Sequence, residues 1–268
     1  MQTIHISVLE LITFVLRSGD IDTRFASSAR AVDGIRAHQA VQKEYGANDR
    51  AEVRFQDETV HEDLLFVAQG RADGVLVRDE RVIIDEIKST GRDLDELTGT
   101  LREKHWAQAK CYAWFYAKAH GREDMDVQLT YYQIDTGEIR RFSERFTYEE
   151  LERFYHDALA SYMAFVRWRL AHEQTRTESL RALRFPFPAY RSGQKELAYA
   201  VYESIRRGHH LFTEAPTGIG KTVSTVFPMV KAMGEGLLDK TFYLTARSTA
   251  KRIALNTMDT LQRRGADL

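Results

Sequence analysis

Two short segments carry the side chains that phosphodiester hydrolysis requires. Gly70 to Val77 reads GRADGVLV and Val82 to Thr90 reads VIIDEIKST, which sets Asp73 in or beside one short strand and Glu86 and Lys88 on the next. Residues two apart on a strand point to one face, so Glu86 and Lys88 converge. The chemistry needs oxygen ligands for Mg²⁺ or Mn²⁺ and a cation near the attacking water or the scissile phosphate, and Asp73, Glu86 and Lys88 supply that set. Two pairs accompany them, His38 with Gln42 in GIRAHQAVQKEY and Gln108 with Tyr112 in HWAQAKCYAWF. Each pair is spaced by four and shares one helix face.

A second constellation lies further along. Residues 215–222 read APTGIGKT, with Ala215 where a phosphate loop has its first glycine. Gly218 and Gly220 let the backbone of Ala215, Pro216, Thr217 and Ile219 curl, so that its amides and the positive end of the next helix face a phosphate chain. Lys221 would reach the β- and γ-phosphates and Thr222 would offer its hydroxyl to Mg²⁺. ATP is the expected ligand. Upstream, Tyr190 to Gln194 reads YRSGQ, which taken by itself makes Gln194 a surface residue at a helix start.

These side chains need elements to hold them. The patterning predicts helices over 5–17, 30–45 and 102–119, with apolar or alternating runs at 64–68, 74–77, 82–88 and 127–134. That is an α/β or α+β domain whose sheet is flanked by helices. Thr147 to Glu150 reads TYEE, a capping box, and Leu151, Tyr155, Leu159, Tyr162 and Val166 follow at helical spacing. The polar HEQTRTES and then FPFPAY, with Pro186 and Pro188, predict a linker over 173–190. Beyond it come a helix over 191–207, a strand at HLFTEA, the glycine loop, a helix over 221–234, a strand at TFYLTA and a helix through KRIALNTM. This is the alternation of a parallel sheet with crossover helices.

Composition narrows the class. With 43% apolar and 29% charged residues in 268, wholesale disorder is excluded. Cys111 is the only cysteine, which excludes a disulfide framework and a four-cysteine iron–sulfur cluster held within this chain. No apolar run approaches the roughly 18 residues that span a bilayer, and ISVLELITFVL carries Glu10 without a basic start or cleavage site, so a cytoplasmic protein with no membrane partner is expected. Residues 1–182 hold 25 Lys and Arg against 32 Asp and Glu, whereas residues 183–268 hold 13 against 7. Two domains with those bounds follow, the second more suited to a polyanion. The acidic balance of the first confines any grip on DNA to the metal cleft. Of Trp106, Tyr112, Trp114, Phe115 and Tyr116, core packing is the expected use, with stacking on unpaired bases as the alternative.

Two resemblances organise these residues. The histidine on an early helix, the Asp after a glycine, the ExK strand and the QxxxY helix, in that order over about residues 1–145, resemble the PD-(D/E)xK nucleases, in particular the RecB-like branch that includes the CRISPR-associated exonucleases. The resemblance implies a restriction-endonuclease-like fold, with His38, Asp73, Glu86 and the Ile87 carbonyl as ligands of Mg²⁺ or Mn²⁺. It implies Lys88 as the catalytic lysine, and Gln108 and Tyr112 as residues that orient the DNA backbone or the lysine. Several relatives hold a four-cysteine iron–sulfur cluster that this chain cannot form. EAPTGIGKT, then a helix, then YLTARSTAKRIA resembles the start of the motor domain in DinG/XPD-type DNA helicases of superfamily two. That implies a partial RecA-like P-loop domain, Gln194 at the adenine, and Thr245 and Arg247 at the DNA backbone. No acidic Walker B pair follows Lys221 before Leu268, so the chain by itself is not expected to unwind DNA.

The expectation is an ATP-dependent DNA helicase part preceded by a metal-dependent exonuclease-like domain, acting on single-stranded DNA or single-stranded ends in DNA processing or repair. Two other readings stay open: a nuclease fold that loads DNA without cutting it, and a P-loop ATPase that does not act on DNA.

Overall fold

The apolar runs around Asp73 and Glu86 belong to one mixed sheet. The computed structural model describes residues 1–17, 28–97, 99–246 and 248–268, and Arg247 lies outside them. The chain divides into two compact units, Met1–Ala164 and Phe165–Leu268.

In the first unit the strands are β1 (Gln2–Ser7), β2 (Arg50–His61), β3 (Leu64–Arg78), β4 (Arg81–Thr90), β5 (Asp124–Gln133) and β6 (Ile139–Thr147). Their order is β1-β3-β4-β5-β6, with β2 paired to β3. The pairs β1–β3 and β4–β5 are parallel and the others antiparallel. The helices are α1 (Val8–Val15), α2 (Ser28–Gln42), α3 (Gly99–His120) and the first part of α4 (Tyr148–Ala182). β5 alternates Met125, Val127, Leu129 and Tyr131 with Asp126, Gln128 and Thr130, and both sets are buried. α3 supplies the crossover that parallel β4 and β5 need.

Three local outcomes differ from the patterning. The helix predicted over 5–17 begins only at Val8, where Ser7 Oγ accepts the Glu10 N–H at 3.1 Å; before it, Ile4 and Ile6 point inward from a strand. β2 and β6 are charge-rich strands (RAEVRFQDETVH and IRRFSERFT) that the apolar criterion passed over, a composition common where a strand edge meets water. α4 starts on its predicted capping box, with the Glu150 N–H on Thr147 Oγ1 at 3.3 Å and the Thr147 N–H on Glu150 Oε2 at 2.9 Å. It then continues through HEQTRTES, so residues 173–182 are helix and not linker. Glu, Gln and Arg are good helix formers, and Leu180 near its end is fully buried.

The second unit comprises the rest of α4 with α5 (Gln194–Arg207), α6 (Lys221–Gly234) and α7 (Ser248–Gln262). Leu180, Leu183, Val226, Val230, Leu261 and Ala266 form its core. Lys231 Nζ donates to the Arg181 carbonyl at 2.5 Å, satisfying an end of α4 that has no further helical amide to offer. The parallel strands predicted at HLFTEA and TFYLTA are not formed. Among the described residues of this unit there is no strand to pair with either segment, and Phe212 and Leu244 stand 95% and 88% exposed. The chain as a whole is mixed α/β, with one mixed sheet and seven α-helices among the described residues. No described helix is long and apolar enough to cross a membrane.

Candidate metal centre and phosphate loop

The site starts at an irregularity in the β2–β3 ladder. Pairing runs from Arg50↔Val75 to His61↔Leu64 in one register but skips Glu52 and Asp73, which that register places opposite each other. Glu52 sits at φ 56°, a left-handed conformation that costs a non-glycine residue about 1–2 kcal/mol. Its surroundings hold it there. Gln42 Nε2 donates to Glu52 Oε1 and to the Asp73 carbonyl, both at 3.1 Å, and Arg71 forms an ion pair with Glu52, Nε to Oε2 at 2.8 Å. The carboxylate is thereby turned toward Asp73 and toward His38 on α2. Ligand atoms of His38, Glu52 and Asp73 lie within 4.8 Å of one another, and His38 Nδ1 is 3.4 Å from Asp73 Oδ1.

Glu86 and Lys88 flank this cluster on β4. Asp73 Oδ2 accepts the Ile87 N–H at 2.7 Å, so the Ile87 amide ties the two strands at the site. Glu86 is 1% exposed; its Oε1 pairs with the Lys88 ammonium and its Oε2 has no hydrogen-bond partner. Burial pushes its carboxyl up to about 8, Asp73 pushes the same way, and Lys88 opposes both. Burial also raises Asp73, against the pull of His38. The cluster therefore contains Glu52 where the sequence suggested Glu86. Glu86 stands beside it as a buried carboxyl with one orphaned oxygen, a costly arrangement unless something compensates. Carboxylate oxygens with one imidazole suit Mg²⁺ or Mn²⁺, so the residues present fit a hard divalent cation.

The supporting shell is polar and ordered. Asp85, buried on β4, accepts from the Tyr45 hydroxyl at 2.8 Å, Thr130 Oγ1 at 2.5 Å and Gln128 Nε2 at 3.1 Å. Tyr45 follows directly on α2 and lies against Gly74, where a Cβ would come within 2.2 Å of its hydroxyl oxygen. The glycine after Asp73 thus seats the helix that carries His38 and Gln42. Lys88 registers with Tyr131, whose hydroxyl meets His105 Nδ1 at 2.7 Å. Burial first, then Lys88 and Lys104, holds His105 down at about 4, so its ring is neutral at physiological pH. Gln108 Nε2 reaches the Tyr112 hydroxyl at 3.4 Å, and the Tyr112 ring fills the space that Gly70 leaves. Tyr112 is 2% exposed, so its hydroxyl lies inside the protein, on the Glu86 side, and not at the surface.

Glu52 and His105 escaped the sequence. Neither belongs to a spaced pair, and a left-handed Glu inside a strand has no signature in residue order. Gln42 was visible as the partner of His38, without its tie to Glu52. Trp114, Tyr112 and Phe115 are core, while Tyr116 reaches the surface and stacks on His120.

In the second unit, Gly218 and Gly220 adopt φ of 87° and 89°, the left-handed turns that require glycine, and Gly220 caps α6. Lys221 Nζ donates to the carbonyls of Ala215 at 2.7 Å and Pro216 at 3.2 Å, spanning the loop that also holds Thr217 and Ile219. Gln194 is buried, not on the surface. Its Oε1 accepts the Arg191 N–H at 2.9 Å, and its amide packs where a Cβ on Gly220 would lie 2.4 Å away. Arg191 donates to the Gly218 carbonyl at 2.6 Å. Gln194 and Arg191 thus brace the loop from the α5 side. Thr222 opens α6 half-exposed, and Thr245 lies in the exposed segment after Leu244.

No protein-family model matches the chain. Over 45 residues it is 42% identical to the probable ATP-dependent helicase MJ0942 of Methanocaldococcus jannaschii, a match covering 17% of this chain and 7% of that helicase. The crystal structure of SSO0001 overlaps 60% of this chain and 76% of its own at 20% identity and a TM-score of 0.38, too loose a likeness to speak for a shared fold. The chain is thus similar over a short stretch to a probable helicase.

Proposed function

We propose that residues 1–182 form a metal-dependent DNA nuclease-like domain and residues 183–268 the ATP-binding part of a DNA helicase motor, acting together in DNA processing or repair. The observation that carries the nuclease reading is the His38–Glu52–Asp73 cluster beside the buried Glu86–Lys88 pair. A divalent cation held there would supply an activated water and offset charge on the phosphate. His38, Glu52 and Asp73 would hold it, with Glu86 Oε2 and the Ile87 carbonyl as further donors. Lys88, held by Glu86 at the half-exposed edge of β4, would stabilise charge building on the scissile phosphate. His105, neutral and fixed by Tyr131, keeps a second positive charge away from Lys88. Support for the motor reading comes from the glycine geometry of residues 215–222 and the similarity to a probable helicase.

The test is cleavage of end-labelled single-stranded DNA with Mn²⁺ by the parent, Asp73→Ala and Lys88→Ala. Products that disappear in both variants support the reading. A folded, Mn²⁺-binding parent that yields no products replaces it with a DNA-loading module that does not cut. Absence of any salt-sensitive affinity for single-stranded DNA replaces it with an ATPase unrelated to DNA.

A further inference from the structure

Arg54 on β2 and Arg71 on β3 are direct cross-strand partners. Like charges placed opposite one another in a sheet destabilise it, their Cβ atoms being about 5 Å apart. Glu52 partly neutralises Arg71, whereas neither Arg54 nor Arg50 pairs with a carboxylate among the described residues. All three arginines are exposed.

They line three neighbouring clefts that share residues around the β2 edge of the sheet. Arg50 and Arg54 lie in a cleft of about 460 Å³ with Phe55, Tyr116 and His120. Arg54 and Phe55 continue into a second cleft that reaches Arg71. Arg71 in turn lines a third with His38, Gln42 and Glu52, at the metal cluster. At the far end His120 stacks on Tyr116 with ring centroids 3.9 Å apart and 12° between planes, and His120 itself is exposed. Arginines spaced along a strip that ends in an exposed aromatic stack fit a strand whose phosphates and unpaired bases are both accessible; a duplex hides the second.

We propose that the β2–β3 surface from His120 through Arg50 and Arg54 to Arg71 is a track for single-stranded DNA leading to the metal cluster. The choice of DNA as the polymer rests on the nuclease reading above. Phosphates sit on Arg54 and Arg71, where each relieves the repulsion between the paired guanidiniums, and a base stacks on His120. The overall acidity of this part of the chain is no obstacle, because the strip is local.

The experiment measures binding of fluorescein-labelled oligothymidylate to the full chain by anisotropy, in EDTA so that nothing is cut, across a salt series. Arg54→Ala and Arg50→Ala are each expected to weaken binding and to lower the slope of log affinity on log salt by about 0.7, one phosphate contact on a single strand. His120→Ala is expected to weaken binding roughly fivefold or more with the slope unchanged. Arg153→Ala, an exposed arginine on α4, serves as control. Unchanged binding in Arg54→Ala and Arg50→Ala overturns the track, as does an equal loss in Arg153→Ala. Equal losses on a blunt duplex overturn its single-strand character, and tighter binding of oligouridylate overturns the choice of DNA. Cleavage with Mn²⁺ is read on the same proteins. A parent that does not cut but binds through Arg54 sinks the nuclease reading and leaves the track standing; a parent that cuts with Arg54→Ala binding normally does the reverse.

Discussion

Replacing Glu52 by glycine separates the two things that this residue is argued to do. Glycine accepts φ 56° freely, so the substitution removes a strain of about 1–2 kcal/mol, less about 0.5–1 kcal/mol for the extra entropy of an unfolded glycine. The hydrogen bond from Gln42 is lost, at about 1 kcal/mol, while Gln42 keeps its bond to the Asp73 carbonyl. The half-exposed pair with Arg71 contributes little. These changes nearly cancel, so the metal-free melting temperature is expected to move by no more than about 3 °C at roughly 2–4 °C per kcal/mol for a chain of this size. The metal response is a different matter. With Mn²⁺ at 100 times its dissociation constant the parent gains about 2.7 kcal/mol, or about 5–10 °C. If losing one carboxylate ligand weakens binding about 100-fold, the gain at the same Mn²⁺ falls to about 0.4 kcal/mol, near 1 °C. Thermal melts of parent and Glu52→Gly, each with and without Mn²⁺, measure all four quantities. A full Mn²⁺ response in the variant refutes the ligand role, and a metal-free loss of several kcal/mol refutes the claim that strain and contacts balance.

Three other outcomes are expected. Lys221→Ala should abolish binding of a fluorescent ATP analogue while leaving the Mn²⁺-induced rise in melting temperature intact; retained nucleotide binding would falsify the phosphate-loop assignment. His105 is held at about 4, below the imidazole's usual 6.5, so the unfolded chain takes up this proton first as pH falls. Its contribution to stability is therefore present above about 6.5 and lost progressively toward pH 4. A His105→Gln variant should show a shallower fall in melting temperature across that window, and an identical slope would count against it. Gly74→Ala places a methyl against the Tyr45 ring and should cost about 1–3 kcal/mol by denaturant melts; no loss would mean that Tyr45 does not need Gly74 to reach Asp85.

How much of this was legible in the sequence depended on whether the signal was periodic or spatial. α3, α6, β4 and β5 come close to their predicted spans because their apolar faces recur at helix or strand spacing. Glu86 and Lys88 were readable as same-face partners because period 2 leaves no choice, and the capping box of α4 was readable because both halves sit within four residues. β2 was not, since an edge strand facing water carries Arg, Glu and Gln where an interior one carries Val and Ile. With β2 unseen, Glu52 could not be placed opposite Asp73, and the cluster was read from the ExK strand, with Glu86 as its glutamate. The strands expected near the glycine loop had the right composition. Strand formation depends on a neighbour, however, and none of the described residues supplies one.

The carboxylates at the cluster make a further prediction about the two ends of the proposed track. Glu52 and Asp73 concentrate negative charge where Arg71 would deliver a phosphate, and the burial of Asp73 leaves its charge poorly screened. Without a cation, the end of the track repels the polymer that its arginines attract. A divalent ion changes the sign of that local balance, so metal and strand should bind with positive coupling, and each should raise the affinity of the other by the same factor. Ca²⁺, used in place of Mn²⁺ to test binding apart from cleavage, is expected to tighten oligothymidylate by about 5-fold or more, in the range of ordinary coupling energies. Asp73→Ala should remove the Ca²⁺ effect and also bind the strand better than the metal-free parent, because one repelling charge is gone. A structural role for Asp73 predicts weaker binding in both conditions, and equal affinity with and without Ca²⁺ in the parent would separate the arginine strip from the metal cluster altogether.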